Sequence, residues 1–164
     1  MLLKSRKDNR TILIVLGIAA LLIFLVVKAN KASVNPMLNG KSAIVYRSVS
    51  CGCCANYIAY LRNAGVRVEE RLEDDISVIK KRLGIPLSVT SCHTTQIENY
   101  VVEGHIPTEA IAKLLTDKPQ IAGIGMRGMP SGSPGMPGAK SGSFDIKSFA
   151  TAGDDVSTSL FMNL

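Results

Sequence analysis

All four cysteines of the chain fall in two short segments. Cys51, Cys53 and Cys54 form a CGCC cluster, and Cys92 stands further along the chain beside His93. The cluster joins a predicted strand to a predicted helix, and the free N–H groups and partial positive charge at a helix N-terminus favour thiolate over thiol. Thiolate is both a redox nucleophile and a soft ligand for Cu(I) or Zn. The pattern predicts metal or electron handling, and three cysteines this close together favour metal.

The N-terminal part of the chain predicts where these thiols reside. Residues 11–27 form an unbroken apolar run, TILIVLGIAALLIFLVV, and four basic residues precede it. This length approaches the roughly 20 residues that cross a bilayer, and the basic head keeps the N-terminus in the cytoplasm. Lys28 and Lys31 disfavour a small-residue cleavage site, so an uncleaved anchor is favoured over a cleaved signal peptide. In a bacterium, the protein is then a single-pass inner-membrane protein with its soluble domain in the periplasm.

The positive net charge does not indicate a nucleic-acid partner. The chain has 19 Lys and Arg against 13 Asp and Glu, for a net charge of +6. Much of the excess flanks the apolar run, and the remaining basic residues alternate with acids, as in EERLE at residues 69–73. Because the sequence has no basic stripe interleaved with aromatic residues, we expect no nucleic-acid binding.

Hydrophobic periodicity predicts one α/β domain between two less patterned segments. Residues 1–27 form the basic head and transmembrane anchor, 28–41 a polar linker, 42–149 the domain and 150–164 a C-terminal tail. Within the domain we predict a strand at SAIVYR, a helix over 52–64, a strand at VRVEERLE, a helix over 75–83, a TTQI/YVVE hairpin and a helix over 109–115. This order is that of the thioredoxin-like fold, a mixed central sheet with flanking helices and a CxxC after its first strand.

The predicted hairpin brings the second cysteine segment towards the first. If Glu98 and Asn99 are the two loop residues, Cys92 faces His105 and His93 faces Gly104 across the hairpin. In a thioredoxin-like sheet the start of this hairpin lies beside the CxxC, where thioredoxins place a cis-proline. This chain has no proline there and offers Cys92 and His93 instead. We therefore expect Cys92, His93 and His105 to converge on the CGCC cluster.

An oxidising compartment would also allow the four cysteines to pair. Adjacent Cys53 and Cys54 are poor partners for each other, so the simplest bridges are Cys51–Cys54 and Cys53–Cys92. A structural disulfide with a spare thiol is the alternative to a metal site.

Five motifs in order carry a resemblance to a known family: VYRSVSCGCC, RLGIP, SCHTT, YVVEGHIP and GMPSGSPGM. Together they are similar to the CopG-type copper-resistance proteins, over residues 42–149. The resemblance implies a small thioredoxin-like periplasmic domain that binds copper and accompanies copper-efflux and detoxification systems. It also implies that the thiolate ligands are Cys51, Cys53, Cys54 and Cys92.

Further soft donors lie near these cysteines in the predicted fold. His93 and His105 are candidate ligands, with a polar surface role and a loop hydrogen bond as their respective alternatives. Glycines and prolines in GIGMRGMPSGSPGMPG exclude regular structure, so its methionines do not fill a helix core. We expect this loop to fold over the cysteines, with Met129 as a candidate thioether ligand and Met136 as a weaker one.

These donors predict a copper site. Thiolates and thioethers select Cu(I) over ions that prefer oxygen, and zinc is the weaker competitor because adjacent cysteines fit one tetrahedral centre poorly. We therefore expect a multinuclear Cu(I)–thiolate site for copper resistance or for handover to efflux or chaperone proteins. The alternative is a thiol-disulfide or copper oxidoreductase in which Cys51 is the nucleophile and Cys54 the resolving thiol.

Overall fold

The computed structural model of the chain describes residues 12–22, 35–150 and 157–164. The chain divides into two compact units, residues 1–33 and 34–164. In the first unit, residues 12–22 form helix α1, whose large apolar side chains are exposed. Among the described residues, no helix is both long enough and apolar enough to cross a membrane. The rest of the predicted anchor, and the predicted linker up to residue 34, lie outside the described residues.

The second unit is built on a seven-stranded sheet with the strand order β2-β1-β3-β4-β5-β6-β7. The strands are β1 Ser42–Arg47, β2 Arg67–Leu72, β3 His93–Ile97, β4 Tyr100–Glu103, β5 Gly123–Gly125, β6 Asp145–Phe149 and β7 Thr158–Asn163. The helices are α2 Gly52–Asn63, α3 Ile76–Arg82 and α4 Thr108–Asp117, with a short 3₁₀ turn at Leu87–Val89. The predicted mixed α/β architecture, a central sheet with flanking helices, is confirmed.

The sheet mixes parallel and antiparallel pairs. Strand β1 is parallel to β2 and antiparallel to β3, and β3 and β4 form the antiparallel hairpin. Strand β5 is parallel to β4, and β6 and β7 then add antiparallel strands. This topology places the end of β1, where the CGCC cluster follows, beside the start of β3, where Cys92 precedes the strand.

The predicted hairpin register is confirmed. Thr94 pairs with Glu103, and the Gly104 N–H donates to the His93 carbonyl at 3.1 Å, just beyond the last strand pair. Glu98 in the turn has a φ of +50°. The two-residue loop therefore determines which side chains face each other at the open end of the hairpin.

The core lies between the sheet and the long helices. Buried apolar side chains of β1, β4 and β5 pack against the buried faces of α2 and α4; the set includes Val45, Val102, Ile124, Tyr57, Ile58, Leu61, Ile111 and Leu114. Leu38 is fully buried in the same core, and the Gly40 N–H donates to the Gly65 carbonyl at 2.9 Å. The second half of the predicted linker therefore packs onto the domain.

The C-terminal residues extend the sheet beyond the predicted domain boundary. The sequence predicted a tail over 150–164, whereas Thr158–Asn163 forms strand β7 and pairs with β6. The Phe144 N–H also donates to the Leu164 carbonyl at 2.7 Å. Strand β7 lies at the edge of the sheet, and the burial of its residues does not alternate cleanly with a period of two. Its pairing with β6 orders it, rather than a pattern in its own sequence.

Candidate metal centre

The loop that carries the CGCC cluster is held by an arginine that sequence reasoning missed. Cys51 is the N-cap residue of α2 and makes no side-chain capping bond, so the first N–H groups of the helix remain available at the cluster. The Arg47 guanidinium donates to the carbonyl oxygens of Ser48 at 2.9 Å and Cys51 at 3.4 Å, and it forms an ion pair with Glu70. The position of Arg47, last in β1 and just before the cluster, was the available signal.

The four cysteine sulfurs lie in one cluster, within 4.8 Å of one another. Cys51 and Cys54 form a disulfide, as predicted, while Cys53 and Cys92 are free thiols. The Cys92 Sγ lies 3.4 Å from the Cys54 Sγ and 3.8 Å from the Cys53 Sγ. The predicted Cys53–Cys92 bridge is therefore wrong, because these two sulfurs are in contact without being bonded. The sulfur of Cys92 lies closer to that of Cys54, which is already bonded to Cys51.

Two histidines extend the donor set from Cys92. The sulfur of Cys92 and one ring nitrogen each of His93 and His105 also lie within 4.8 Å of one another. His105 Nδ1 donates to the Pro134 carbonyl at 2.7 Å, which leaves the Nε2 lone pair facing the Cys92 Sγ at 3.1 Å. His93 Nδ1 is 3.4 Å from the same sulfur, and His93 Nε2 is buried with no partner in the described part of the chain. Cys92 is thus common to both donor groups.

Burial keeps these groups uncharged in the metal-free protein. Desolvation, followed by the neighbouring Cys53 thiol, raises the pKa of Cys92 to about 12. Desolvation also lowers the pKa of His105, and it lowers the pKa of His93 well below its ordinary value, with His105 and Lys80 adding to the effect on His93. Neutral imidazoles keep a lone pair for a metal ion, whereas Cys92 must lose its proton when it binds one.

Tyr57 is a second residue that sequence reasoning missed. Its ring is fully buried on α2, with its centroid 4.4 Å from that of His93 and 5.6 Å from that of His105. Its hydroxyl donates to the Ile106 carbonyl at 2.9 Å. Tyr57 follows Cys53 by one helical turn, so its spacing was the only signal of its place at the site. It supports both imidazoles from the helix side.

The methionine-containing loop, residues 125–138, folds over the cysteines at one point. Met129 is half exposed, and its Sδ lies 3.9 Å from the Cys53 Sγ. Met126, in contrast, is only 3% exposed and fills the domain core. For Met136, no sulfur contact with a cysteine is found within the described residues. The loop thus contributes one thioether to the site through Met129, while Met126 anchors its first turn in the core.

Gly135 is the point at which the loop docks on helix α2. It has a φ of +81°, and an added Cβ would lie 2.7 Å from the Tyr57 nitrogen and 3.1 Å from the Cys53 carbonyl. The Asn56 side-chain amide donates to the Gly135 carbonyl at 3.4 Å. Only glycine allows this close approach, which also places the Pro134 carbonyl against His105.

Replacing Gly135 with alanine is expected to displace the loop from α2. We expect Gly135→Ala to lower the free energy of unfolding by about 1–3 kcal/mol more than Gly138→Ala, because only the first overpacks a filled contact. Gly138 is a matched control, since its φ is +90° but its added Cβ would meet nothing closer than 3.4 Å. Denaturant unfolding measures the difference, and ¹⁵N NMR should show His105 losing its single tautomer only in Gly135→Ala. Equal losses in both variants would mean that the loop does not dock through Gly135.

The fold and the site together define a small mixed α/β metal-binding domain with a four-cysteine cluster at one end of its sheet. Residues 89–136 match the family described as "Protein of unknown function, DUF411". No curated protein matches the chain.

Two solved structures are similar to the chain over most of its length. They are described as "Copper resistance protein copG", Form 2 and Form 1, and each is 35% identical to this chain. The matches cover 76% of this chain, with 98% of the Form 2 chain at a TM-score of 0.68 and 97% of the Form 1 chain at 0.67. The chain therefore belongs to the CopG family of copper-resistance proteins, as the sequence motifs predicted.

Proposed function

We propose that this protein binds Cu(I) in a multinuclear cysteine site, for copper resistance or for handover to another protein. The observation that carries the proposal is the convergence of four cysteine sulfurs within 4.8 Å, with a thioether 3.9 Å from Cys53. Such soft donors select Cu(I), and crowded sulfurs from adjacent residues suit bridging between several copper ions better than one tetrahedral zinc centre. The proposed ligands are Cys51, Cys53, Cys54, Cys92, His93, His105 and Met129.

The proposal includes a location and a fold assignment. We assign residues 42–149 to a thioredoxin-like domain, supported by the order strand, helix, strand, helix, hairpin, helix and by the CxxC after the first strand. We place this domain in the periplasm, anchored to the inner membrane through residues 11–27, on the strength of the apolar run and its basic head. Copper-efflux or copper-chaperone proteins are the proposed partners.

The second candidate is a thiol-disulfide or copper oxidoreductase, and the Cys51–Cys54 disulfide is the observation that favours it. In that reaction Cys51 attacks as a thiolate and Cys54 resolves the mixed disulfide. The disulfide also withdraws two of the four thiolates, so copper binding by the full set requires the reduced protein. The two candidates differ in which cysteines they need, because a CxxC oxidoreductase uses neither Cys53 nor Cys92.

Copper analysis of the reduced full-length protein tests the proposal. Protein purified anaerobically in detergent is expected to retain more than one Cu(I) per chain against a chelator of moderate affinity. The disulfide-bonded form should retain less, because oxidation removes two thiolates. If the reduced protein retains no Cu(I), the copper-binding proposal fails. If Cys53→Ser leaves copper retention unchanged while Cys51→Ser abolishes reduction of a disulfide substrate, the oxidoreductase is the better assignment.

A further inference from the structure

A buried ion pair lies next to the turn that presents Cys92. The side chains of Lys80, on α3, and Glu103, on β4, are 9% and 0% exposed and form a salt bridge. The Glu103 carboxylate also accepts from the Ser91 backbone N–H at 2.7 Å and from the Thr94 hydroxyl at 2.6 Å. The Lys80 ammonium donates a second bond to the Thr94 hydroxyl oxygen at 3.1 Å. Within the described residues, neither charged side chain forms a hydrogen bond or an ion pair with a candidate ligand.

Protein stability alone does not explain why the Lys80–Glu103 pair is buried. Burying two charges costs desolvation free energy, and apolar residues of similar volume often stabilise a core as well or better. The cost is offset here only because the carboxylate has three donors, one of which is the N–H of the residue before Cys92. The network therefore connects α3 and the β3–β4 hairpin to the main chain at the metal centre.

The same network reaches the methionine-containing loop. The backbone carbonyl of Glu103 accepts from the Met126 N–H at 3.2 Å. The Ser91 hydroxyl donates to the Gly128 carbonyl at 2.6 Å, one residue before Met129. Glu103 and Ser91 thus hold both the turn that carries Cys92 and the base of the loop that carries Met129.

The position of Cys92 affects both candidate donor groups. Its sulfur belongs both to the group of four cysteines and to the group with His93 and His105. A small rotation of the Ser91–Cys92 turn would move this sulfur relative to both groups at once. Ligand positions of this kind depend on the hydrogen bonds that hold the ligand residues.

We propose that the buried Lys80–Glu103 pair positions Cys92 for metal binding, by holding the Ser91 N–H on the Glu103 carboxylate. Lys80 and Thr94 orient the carboxylate, and the carboxylate oxygen fixes the turn. Lys80 and Glu103 are therefore positioning residues, which act on Cys92 through Ser91. This inference rests on the proposed copper-binding function.

Two double variants separate the hydrogen bond from the charges. Lys80→Met with Glu103→Gln removes both charges but keeps an amide oxygen that can accept from Ser91. Lys80→Met with Glu103→Met has a similar volume and no acceptor. We expect the first to lose less Cu(I) affinity than the second, because its amide oxygen still accepts from Ser91 although Lys80 no longer orients it. The second should bind about 10- to 100-fold more weakly than wild type, the usual effect of losing a hydrogen bond that orients a ligand. Lys41→Met with Glu98→Gln is the control, because that ion pair joins the same hairpin to another part of the chain away from the cysteines.

A second measurement needs no copper. In the disulfide-bonded protein, Cys53 and Cys92 are free thiols with sulfurs 3.8 Å apart. Dibromobimane bridges two such thiols and becomes fluorescent, forming two C–S bonds and releasing two bromide ions and two protons. We expect bridging to be slowest in the acceptor-free variant, less affected in the glutamine variant and unchanged in the control. If wild-type protein binds no Cu(I), the proposed function fails, and the bridging rates still decide the inference.

The inference is overturned if the acceptor-free variant matches the control in both copper affinity and bridging rate. If that variant does not fold, hydrogen exchange of the Ser91 amide in the wild-type protein tests the inference instead. Strong protection of that amide, lost in Thr94→Val, supports the positioning role. Exchange at the rate of an unstructured amide overturns it, because the carboxylate then does not hold the turn.

Discussion

Replacing Cys92 with serine is expected to remove most Cu(I) binding, with a larger effect than any other single cysteine change. Cys92 is the only cysteine that belongs to both donor groups, so its loss separates the other thiolates from the histidines. The fall in Cu(I) affinity should exceed about 10- to 100-fold, which is the typical effect of losing a hydrogen bond that only orients a metal ligand. Competition with a Cu(I) chelator under anaerobic conditions measures it.

Cys53→Ser is the internal comparison for this result. Cys53 belongs to the group of four cysteines alone, so its loss should reduce the number of bound copper ions and leave the Cys92–histidine group intact. Unfolding curves of both metal-free variants should match that of wild type, since Cys53 and Cys92 are free thiols without a structural bond. Equal copper binding by Cys92→Ser and Cys53→Ser would contradict a central role for Cys92.

Tyr57→Ala is expected to cause the largest loss of stability among changes at the site. The Tyr57 ring projects from α2 and is fully buried against the imidazoles of His93 and His105. Truncating a buried aromatic side chain lowers the free energy of unfolding by about 3–5 kcal/mol. The cavity that this truncation leaves would lie beside His93 and His105, so the NMR signals of these histidines should broaden or multiply. Denaturant unfolding of the metal-free protein measures the loss in stability.

Tyr57→Phe is the matched control, because it keeps the ring and removes only the hydroxyl that donates to Ile106. It should cost about 1 kcal/mol, the usual net contribution of one hydrogen bond, and should leave the histidine signals sharp. If Tyr57→Ala costs no more than Tyr57→Phe, the ring does not support the imidazoles.

The elements around the site were predictable because local patterns determine them. Strand β1 and helix α2 agree with the predicted spans to within a residue at each end, since apolar periodicity and the glycine after α2 set their limits. The two-residue loop set the hairpin register, which in turn placed Cys92 near His105. Residue type and spacing were sufficient to identify the family and to select candidate soft donors.

Other features depend on contacts between residues far apart in the sequence. Strand β7 has no pattern of its own and is ordered by β6, and the burial of Met126 beside the exposure of Met129 follows from where the loop packs. Whether Cys53 and Cys92 form a bridge also depends on distances of a few ångströms, which spacing does not determine; their sulfurs lie 3.8 Å apart and are not bonded.

By itself, the sequence determined which donors are present and which elements carry them, because ligand chemistry, periodicity and turn length are local properties. Only the tertiary structure decided how those donors are held. Glu103 stands in the apolar-looking segment YVVE, and Lys80 in a charged run at the end of a helix, so neither is distinguishable from an ordinary surface residue by pattern. Their burial against Thr94 and Ser91 arises only when α3 packs beside the hairpin, since a buried charge is tolerated where the fold brings its partners to it.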